Sequence, residues 1–382
     1  MKISLDLEPC CNNRSGIGIY TYNIVKNLAG IKGIEFYGEI FSFLGKNKLD
    51  ENYKELHIKL NMCKLLSYGI YRRIWSRLPF KYNTILNSHS DIYHFFDYIV
   101  PPKIEGKVIT TIHDMTYTIY PEMVEEKTMK RIKKGIEYSV KRADKIITVS
   151  ESSKKDIVEF LGVDEKKIEV VYNGVEYERF SASYTKEQQF TVKNKYSIPE
   201  KYILYMGTLE PRKNIESIIS AFSKLIVNNN IYSEEIKLVI AGKKGWLYES
   251  IFKLVQKLSL ENKVVFTDYI EEEDKPLIYN MASIFIFPSI YEGFGIPVIE
   301  AMASSVPVIT STTSSLPEVA GDAAILVNPK DIDSMAKAMK QVLEDKDIRQ
   351  SMIEKGHTQA KKFNWENSAE KLLSIYTDLC NK

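Results

Sequence analysis

The feature that most constrains the fold of this chain is a repeated alternation of short apolar runs with longer amphipathic segments. The runs YILYM at 202–206, KLVIA at 237–241 and IFIF at 284–287 are almost continuously apolar. Strands of this kind are buried on both faces, as in parallel sheets covered by helices. The segments between them repeat apolar residues every three or four positions, which is typical of amphipathic helices. The sequence therefore predicts α/β units with doubly wound parallel sheets.

The alternation runs twice with a break between, which predicts two domains. Strands are predicted at Lys2–Leu7, Glu35–Phe41, Asp91–Phe95, Lys107–His113, Lys145–Val149 and Ile168–Tyr172, then at Tyr202–Met206, Lys237–Ala241, Val264–Thr267, Ile284–Phe287, Pro307–Thr310 and Ala324–Val327. The polar segment 176–199 separates the two series and is interpreted as a linker. The predicted domains are residues 1–180 and residues 181–362. Residues 363–382 are predicted to form a last amphipathic helix that could dock on either domain, with packing back on the N-terminal domain favoured.

Composition excludes several classes of protein. Hydrophobic residues make up 44% and charged residues 27% of the 382 residues, as in ordinary globular chains. A formal net charge of +2 gives no overall attraction to nucleic acid, so any basic surface must be local. The four cysteines show no paired metal spacing and are too few for a disulfide framework. Because the chain shows neither a signal-peptide core nor an uncharged apolar stretch of about 18 residues, a cytoplasmic protein is expected.

The segment 287–310, FPSIYEGFGIPVIEAMASSVPVIT, holds the densest set of candidate functional residues. A strand ends at Phe287, a glycine-containing loop follows, and Pro297 suits the first position of a helix. The loop backbone and the amino end of this helix suit an anion such as a diphosphate. Glu300, in the first turn of the predicted helix, can accept two hydrogen bonds from a ribose diol, and Glu292 can accept them from sugar hydroxyls. The alternative is a surface helix with solvated carboxylates.

A second candidate site is the segment 206–214, MGTLEPRKN. Gly207 follows a predicted strand, and Asn214 opens the next helix. Arg212 and Lys213 lie in the turn between them, at the carboxyl end of the sheet, where such folds bind ligands. Two adjacent cations suit a diphosphate leaving group, because they neutralise its developing charge. The alternative is a solvated basic turn.

The first half of the chain contains weaker candidates. Gly16 and Gly18, in RSGIGIY after the first strand, can bring backbone close to a phosphate or a sugar. A dinucleotide fingerprint needs a third glycine where this chain has Thr21, so support for an NAD site is weak. His113 ends the strand VITTIH and can hydrogen-bond a substrate; the alternative is a structural histidine. No set of His, Cys and carboxylates has metal-ligand spacing, so no metal site is expected.

Taken together, these motifs resemble those of the retaining glycosyltransferases of family 4, which have the GT-B fold. The resemblance rests on EGFGIPVIEAMASSVPVIT, with its two glutamates, and on SSLPEVAGDAAILVNP, GIGIYT, VITTIHDMTY, ADKIITVSESSKKDI, VVYNGV and YMGTLEPRKN. The motifs span residues 3–365 and so cover both predicted domains. The TLEPRKN and SSLPEVAGDAA variants are similar to those of bacterial mannosyltransferases of O-antigen and exopolysaccharide assembly.

The resemblance implies two Rossmann-like domains that face each other across a deep cleft, with the acceptor bound by residues 1–180 and the nucleotide-sugar donor by residues 181–362. It also implies a role for each matching residue. Glu300 would hold the donor ribose, and Lys213 would bind the diphosphate. Glu292 and the backbone of Phe294, Gly295 and Ile296 would contact the donor sugar, and His113 would lie beside the transferred sugar. Tyr269 and Ile270 would contact the nucleobase, and Gly16 and Gly18 would line the phosphate and acceptor edge of the cleft. Many members carry Arg directly after the position of Gly207, where this chain has Thr208. We expect Arg212 to supply that charge, so the catalytic set is His113, Glu292, Arg212 and Lys213.

The resemblance also implies a reaction. A hexose, with mannose favoured, would pass from a nucleoside diphosphate to a glycan or lipid-linked acceptor in cell-surface polysaccharide synthesis, with retention of the anomeric configuration. Neither a metal nor a cofactor is expected; GDP-mannose is the favoured donor, and a UDP-sugar is the alternative. Two other interpretations stay open. One is a sugar-nucleotide epimerase of the same fold, although no acid/base carboxylate signature supports it. The other is a non-catalytic nucleotide-sugar-binding protein.

A local basic stretch extends from Lys54 to Lys81. It contains seven cations and one acid, interleaved with apolar residues such as Leu65, Ile70 and Trp75. Basic residues with Trp and Leu at helical spacing are typical of a contact with an anionic membrane surface. The alternative is an amphipathic packing helix with a solvated basic face. The membrane interpretation places the protein peripherally on the inner face of the plasma membrane.

Overall fold

The structure, a computed structural model, describes residues 1–11, 16–45, 49, 56, 58–75, 77–227 and 235–381. It divides into two compact units, one of Met1–Asn173 with Trp365–Lys382 and one of Gly174–Asn364. The predicted boundary at residue 180 therefore lies too far along the chain. The reason is that the residues just after this division pack in the second unit: Phe180 is buried there, with its ring centroid 6.0 Å from that of Tyr279.

In the described part of the first unit, the sheet contains seven strands. These are β1 (Lys2–Asp6), β2 (Glu35–Phe41), β3 (Lys59–Cys63), β4 (Ile92–Phe95), β5 (Lys107–Thr111), β6 (Lys145–Thr148) and β7 (Ile168–Val170). They pair in parallel in the order β3-β2-β1-β4-β5-β6-β7. All four residues of the central strand β4 are buried, which explains its short apolar run. Most of the edge strand β3 is not buried, and its sequence therefore lacks the apolar pattern that predicted the other strands.

The first unit also contains seven α-helices among its described residues. These are α1 (Gly16–Ala29), α2 (Tyr68–Ile74), α3 (Tyr82–Leu86), α4 (Thr116–Ile119), α5 (Glu126–Arg142), α6 (Glu151–Leu161) and the C-terminal helix (Trp365–Cys380). The C-terminal helix packs in the first unit although the second unit precedes it in the chain. The hydroxyl of Tyr376 lies 2.6 Å from Nδ1 of the buried His94, and Ser368 Oγ donates to the carbonyl oxygen of Tyr172 (2.7 Å).

Outside residues 228–234, which the structure does not describe, the sheet of the second unit contains six strands. These are β8 (Tyr202–Met206), β9 (Lys237–Ala241), β10 (Val264–Asp268), β11 (Ile284–Phe287), β12 (Val308–Ser311) and β13 (Ala324–Val327). They pair in parallel in the order β10-β9-β8-β11-β12-β13. The chain adds β9 and β10 on one side of β8 and then returns to place β11 on the other side. The strand order therefore reverses between β8 and β11, the point where open α/β sheets bind ligands beyond their carboxyl ends.

Two helices of the second unit lie inside the segment that was predicted to be a linker. Its described helices are α7 (Tyr177–Phe180), α8 (Lys186–Tyr196), α9 (Ile215–Val227), α10 (Glu249–Lys257), α11 (Lys275–Asn280), α12 (Ile296–Ala303), α13 (Leu316–Ala320), α14 (Ile332–Glu344) and α15 (Lys346–Ala360). The linker prediction is wrong because most of α8 is solvent-exposed and therefore polar. A capping box of Thr185 and Gln188 starts α8, and the hydroxyl of Tyr196 donates to Asp274 (2.8 Å). In the described ranges, no helix is both long and apolar enough to cross a membrane.

Candidate functional site

Two loops meet where the strand order of the second sheet reverses, one following β8 and the other following β11. Asn214 ties them together, since its Nδ2 donates to the carbonyl oxygens of Pro288 (3.1 Å) and Pro329 (2.6 Å). The N–H of Ile290 also donates to the carbonyl oxygen of Arg212 (2.8 Å). Asn214 has a φ of 60°, a left-handed conformation that asparagine adopts more readily than most residues. The two loops thus form one connected frame at the carboxyl edge of the sheet.

The frame brings three of the predicted site residues together. Nη1 of Arg212 donates to Oε2 of Glu292 (2.6 Å), and Nζ of Lys213 donates to Oε1 of the same carboxylate (2.5 Å). Glu210, which the sequence analysis did not single out, forms an ion pair with Nε of Arg212 (2.6 Å). Lys213, Glu292 and Glu210 are all buried. We call these four residues the four-charge cluster, since two cations face two carboxylates.

The charges within the cluster keep Glu292 ionised. Burial raises the pKa of Glu292, but the positive charges of Arg212 and Lys213 outweigh burial and lower the pKa to about 2. Burial and the Arg212 charge lower the pKa of Lys213, while Glu292 and Glu210 counteract that shift. Nζ of Lys213 also lies 4.9 Å from the centroid of the Phe287 ring. An incoming anion must therefore compete with the Glu292 carboxylate for these two cations.

Two serines that the sequence analysis missed hold the backbone around Glu292. The N–H of Glu292 donates to Oγ of Ser314 (2.9 Å). Oγ of Ser315 lies within hydrogen-bond distance of the carbonyl oxygens of Glu292 (2.9 Å) and Phe294 (2.8 Å). The available signal was the pair of serines between a buried strand and the Leu-Pro that opens α13. The loop that carries Glu292 is thus supported from the next strand of the sheet.

Gly295 caps the amino end of α12 in a conformation that favours glycine. Its φ is 112°, and an added Cβ would lie 2.7 Å from Cδ2 of Leu316. The helix begins at Ile296, so Pro297 is its second residue rather than the predicted first. The side chain of Phe294 is buried, with its ring 5.3 Å from that of Phe363. Phe294 can therefore face a ligand only through its backbone.

Glu300 is the fifth residue of α12 and lies beyond the first turn, where the sequence analysis had placed it. The hydroxyl of Tyr279 donates to its Oε2 (3.0 Å). Burial raises the pKa of Glu300, and the positive charge of Lys275 opposes that rise. Lys275 also pairs with Glu272 (2.7 Å). No sequence pattern marked Tyr279, Lys275 or Glu272 as neighbours of Glu300.

The remaining predicted donor residues lie after β8 and β10. The N–H of Gly207 donates to the carbonyl oxygen of Ala241 (2.9 Å), and an added Cβ would lie 2.9 Å from the hydroxyl of Tyr205. The side chain of Ile270 is buried, which leaves its backbone for a ligand. Tyr269 is partly exposed, and Nζ of Lys243 lies 4.2 Å from the centroid of its ring.

His113 lies in the first unit, two residues after the end of β5, because that strand ends at Thr111 rather than at His113. Its Nε2 lies 2.8 Å from the carbonyl oxygen of Phe96, and its ring packs edge-on against Tyr20 at 5.0 Å. A carbonyl oxygen only accepts, so Nε2 carries the proton and Nδ1 is a hydrogen-bond acceptor. Burial lowers the pKa of His113, which keeps the ring neutral at pH 7.

Gly16 and Gly18 also lie in the first unit, in the first turn of α1. An added Cβ at Gly16 would meet no atom within 4 Å, so nothing in the described structure requires glycine there. The preceding Arg14 and Ser15 lie outside the described residues. The other predicted site residues all belong to the second unit. In the described parts of both units, no group of three or more His, Cys, Asp or Glu side chains is placed to hold a metal ion.

Comparison with known proteins gives one family match in each half of the chain. The family described as Glycosyltransferase Family 4 matches residues 14–179, and the family described as Glycosyl transferases group 1 matches residues 187–359. The O-antigen chain mannosyltransferase B of Escherichia coli is 32% identical, over 98% of this chain and 99% of its own length. The chain belongs to the group 1 glycosyltransferases. The predicted family is thereby confirmed.

Solved structures show that this group 1 glycosyltransferase has the GT-B fold, as predicted. The sucrose-phosphate synthase of Thermosynechococcus elongatus superposes with a TM-score of 0.76 at 19% identity, covering 99% of this chain and 98% of its own. HepE of Anabaena, solved in complex with UDP-glucose, gives a TM-score of 0.76 at 14% identity, covering 99% of this chain and 100% of its own. At these identities the likeness concerns the fold alone.

Proposed function

We propose that this glycosyltransferase is a retaining, metal-independent hexosyltransferase. It transfers mannose from a nucleoside-diphosphate sugar to a glycan or lipid-linked saccharide in cell-surface polysaccharide synthesis. The observation that carries the proposal is the four-charge cluster at the strand-order reversal of the second sheet. Arg212 and Lys213 are two adjacent cations held on one frame, which is the arrangement that a diphosphate requires.

Donor binding requires Glu292 to exchange partners. The diphosphate takes the place of the Glu292 carboxylate on Arg212 and Lys213, since two anions cannot share both cations at close range. Glu292, still ionised, then accepts hydrogen bonds from hydroxyls of the donor sugar. Glu300 on α12 accepts from the ribose, and the backbone from Phe294 to Ile296 approaches the donor at the helix amino end. No cofactor takes part.

The transfer step breaks the bond between C1 of the sugar and the diphosphate and forms a bond from C1 to the acceptor hydroxyl oxygen. The proton of that hydroxyl passes to the departing diphosphate. Arg212 and Lys213 stabilise the charge that develops on the leaving group, which is the role that a metal ion has in other transferases. Attack on the face that the diphosphate leaves retains the anomeric configuration. Neutral His113 accepts a hydrogen bond from a sugar hydroxyl through Nδ1.

Mannose is favoured as the transferred sugar, and GDP-mannose is therefore favoured as the donor. Mannose follows from the relative in Escherichia coli, which is named as a mannosyltransferase and matches almost the whole chain. GDP-mannose is the corresponding donor proposed here. A UDP-sugar is the alternative, because HepE of Anabaena, which shares the fold, was solved with UDP-glucose.

A donor screen tests the proposal. The purified chain is incubated with GDP-mannose, UDP-glucose or UDP-N-acetylglucosamine and a lipid-linked saccharide extract, with and without EDTA, and released GDP or UDP is measured. We expect GDP release that EDTA does not reduce, and NMR of the product should show the anomeric configuration of the donor. If nucleotide were released only from UDP-sugars, the donor would be a UDP-sugar and not GDP-mannose. An epimerised nucleotide-sugar, or no turnover together with nucleotide binding, would favour the epimerase or the non-catalytic alternative.

We further propose that the described part of the basic stretch contacts an anionic membrane. Between residues 64 and 80, three large apolar side chains are exposed: Leu65 by 82%, Ile70 by 44% and Phe80 by 60%. Arg72 and Arg73 lie on the same short helix as Ile70. Exposed apolar residues beside cations suit a surface of anionic headgroups.

The packing alternative accounts for only part of this stretch. Tyr71 is buried in a core cluster, and Trp75 and Leu78 pack against it, so one face of the segment is structural. Lys81 pairs with Glu105 and is therefore partly neutralised. Lys54, at the start of the predicted stretch, lies outside the described residues. The proposed contact is accordingly limited to residues 64–80.

Vesicle flotation tests this contact. The wild-type chain should float with vesicles that contain phosphatidylglycerol and not with phosphatidylcholine alone. The triple variant Leu65→Ser, Ile70→Ser, Phe80→Ser should lose this binding. Phe190→Ser is the matched control, because Phe190 is equally exposed but lies in the second unit. Equal, negligible flotation with both vesicle types would remove the proposal.

A further inference from the structure

Glu210 belongs to the four-charge cluster, yet the proposed reaction gives it no contact with donor or acceptor. The residue lies in the loop after β8 and is only 6% exposed. Burying a carboxylate costs free energy unless a partner compensates its charge. Its Oε1 forms an ion pair with Nε of Arg212 at 2.6 Å. A buried acid directly beside the cation that is to bind an anion calls for an explanation.

Arg212 holds its two carboxylates on different nitrogens. Glu210 pairs with Nε, whereas Glu292 accepts from Nη1. When a diphosphate displaces Glu292, the pair with Glu210 is unaffected. The guanidinium stays anchored at Nε. Nη1 also donates to the carbonyl oxygen of Tyr291 (3.2 Å), so its bond to Glu292 is the one that the phosphate replaces. Guanidinium groups are well suited to this, because their donors project in a rigid fork.

The charge of Glu210 also limits the attraction for the diphosphate. With all four groups ionised, the two positive and two negative charges of the cluster balance. After Glu292 has left the cations, Glu210 still cancels one of their two charges. A site with two uncompensated cations would hold the product diphosphate more tightly than one with a single net charge. Tight retention of the product slows turnover.

We propose that Glu210 is a positioning residue for the diphosphate. It anchors Arg212 through Nε, and its negative charge weakens the hold on the nucleoside diphosphate so that this product leaves after transfer. The inference rests on the proposed function, because it takes Arg212 and Lys213 as the diphosphate ligands. It adds a step that the transfer chemistry itself does not contain, the release of the second product.

The test compares Kd values for GDP and for UDP by calorimetry in low and high salt. Glu210→Gln should bind the nucleotide that the wild type prefers about three- to tenfold more tightly in low salt, and the advantage should shrink in high salt. Glu210→Asp keeps the charge and should match the wild type. Glu216→Gln is the control for an equal charge change at an exposed position of α9. If Glu210→Gln folds poorly, a second neutral variant, Glu210→Ser, takes its place in the comparison.

Kinetics separate positioning from a merely structural role. In Glu210→Gln, KM for the donor and the inhibition constant of the product should fall by the same factor as Kd, and kcat should also fall because product release slows. A structural defect would raise KM or leave these constants unchanged. The inference is overturned if neutral variants of normal thermal stability bind GDP and UDP no more tightly than the wild type. If the wild type binds neither nucleotide, the proposed function itself fails.

Discussion

At the scale of single residues, the Glu292 carboxylate is held by two cations and not by one. Its carboxylate is paired with both Arg212 and Lys213 and has a pKa lowered to about 2. These three residues were predicted from sequence because each lies in a loop directly after an apolar strand. Glu210 and Ser314 were not. Glu210 contacts Arg212 two positions along the same loop, and Ser314 contacts Glu292 from another loop; an apolar strand pattern shows neither contact.

Replacing Lys213 should slow the reaction far more than it destabilises the fold. Lys213→Ala removes one of the two cations on the leaving diphosphate, and we expect turnover to fall about tenfold or more. Glu292→Ala should have an effect of similar size. Lys224→Ala is the control, because Lys224 is an exposed lysine of the same unit that pairs with Asp333. A turnover close to that of the wild type in Lys213→Ala, measured by nucleotide release, would contradict the assigned role.

Glu8 makes folding stability depend on pH. It follows β1, its Oε1 accepts from the N–H of Phe41 (2.5 Å), and burial raises its pKa from 4.5 to about 7. Between about pH 4.5 and pH 7, Glu8 is therefore protonated in the folded state and ionised in the unfolded chain. Its stability contribution is fully present below about pH 4.5 and is lost as pH rises through about 7.

Glu8→Gln should remove this pH dependence. The amide stays neutral and can still accept from Phe41, so the variant should be more stable than the wild type at pH 8, by about 3 kcal/mol at most. At pH 4.5 the two should be nearly equal. Urea unfolding monitored at both pH values measures the difference. The same difference at both would show that the charge of Glu8 is not responsible.

At the scale of elements, buried strands were predicted well and exposed elements poorly. The bounds of β2, β8, β9 and β11 agree with the predicted strands, since these strands lie inside their sheets and most of their residues are buried. The bounds of the edge strand β13 agree as well, although only Val327 in it is buried. The edge strand β3 and the exposed helix α8 were missed because solvent allows polar residues there. In α12, a glycine cap and a proline in the first turn located the helix to within one residue.

The capping glycine of α12 should be difficult to replace. Gly295→Ala forces a φ near 112° on a residue with a Cβ and brings that atom against the buried Leu316. We expect the free energy of unfolding of the second unit to fall by about 1–3 kcal/mol and donor turnover to decrease. Gly30→Ala is the control, because an added Cβ there meets no atom within 4 Å. Equal thermal midpoints for the two variants would contradict this.

At the scale of the whole molecule, the chain passes from the first unit to the second and returns in its last helix. Two α/β units were predicted from the double series of strands, and two six- or seven-stranded parallel sheets are observed. The position of the division differed from the prediction. The segment 174–180 is too short and too mixed in composition for its sequence to show which unit it packs in.

The return of the C-terminal helix depends in part on a buried histidine. Tyr376→Phe removes the hydroxyl that lies 2.6 Å from Nδ1 of His94 and leaves this buried nitrogen without that partner. We expect the free energy of unfolding of the first unit to fall by about 1–3 kcal/mol. GDP affinity, a property of the second unit, should not change. Tyr138→Phe, at an exposed tyrosine of the same unit, is the control. If Tyr376→Phe had as small an effect on the free energy of unfolding as Tyr138→Phe, the Tyr376 hydroxyl would not stabilise this helix.

Sequence by itself determined the two parallel sheets, the family, and the positions of Arg212, Lys213 and Glu292 at the ends of strands. These follow from local patterns, since a strand buried on both faces must be apolar and its loop must begin where that run ends. Only the tertiary structure decided which charges meet. Lys213 and Glu292 are 79 residues apart, and their contact, like the burial of Phe294 and Ile270, depends on the order in which strands pair. Pairing order is set by packing of the whole sheet, which no short segment encodes.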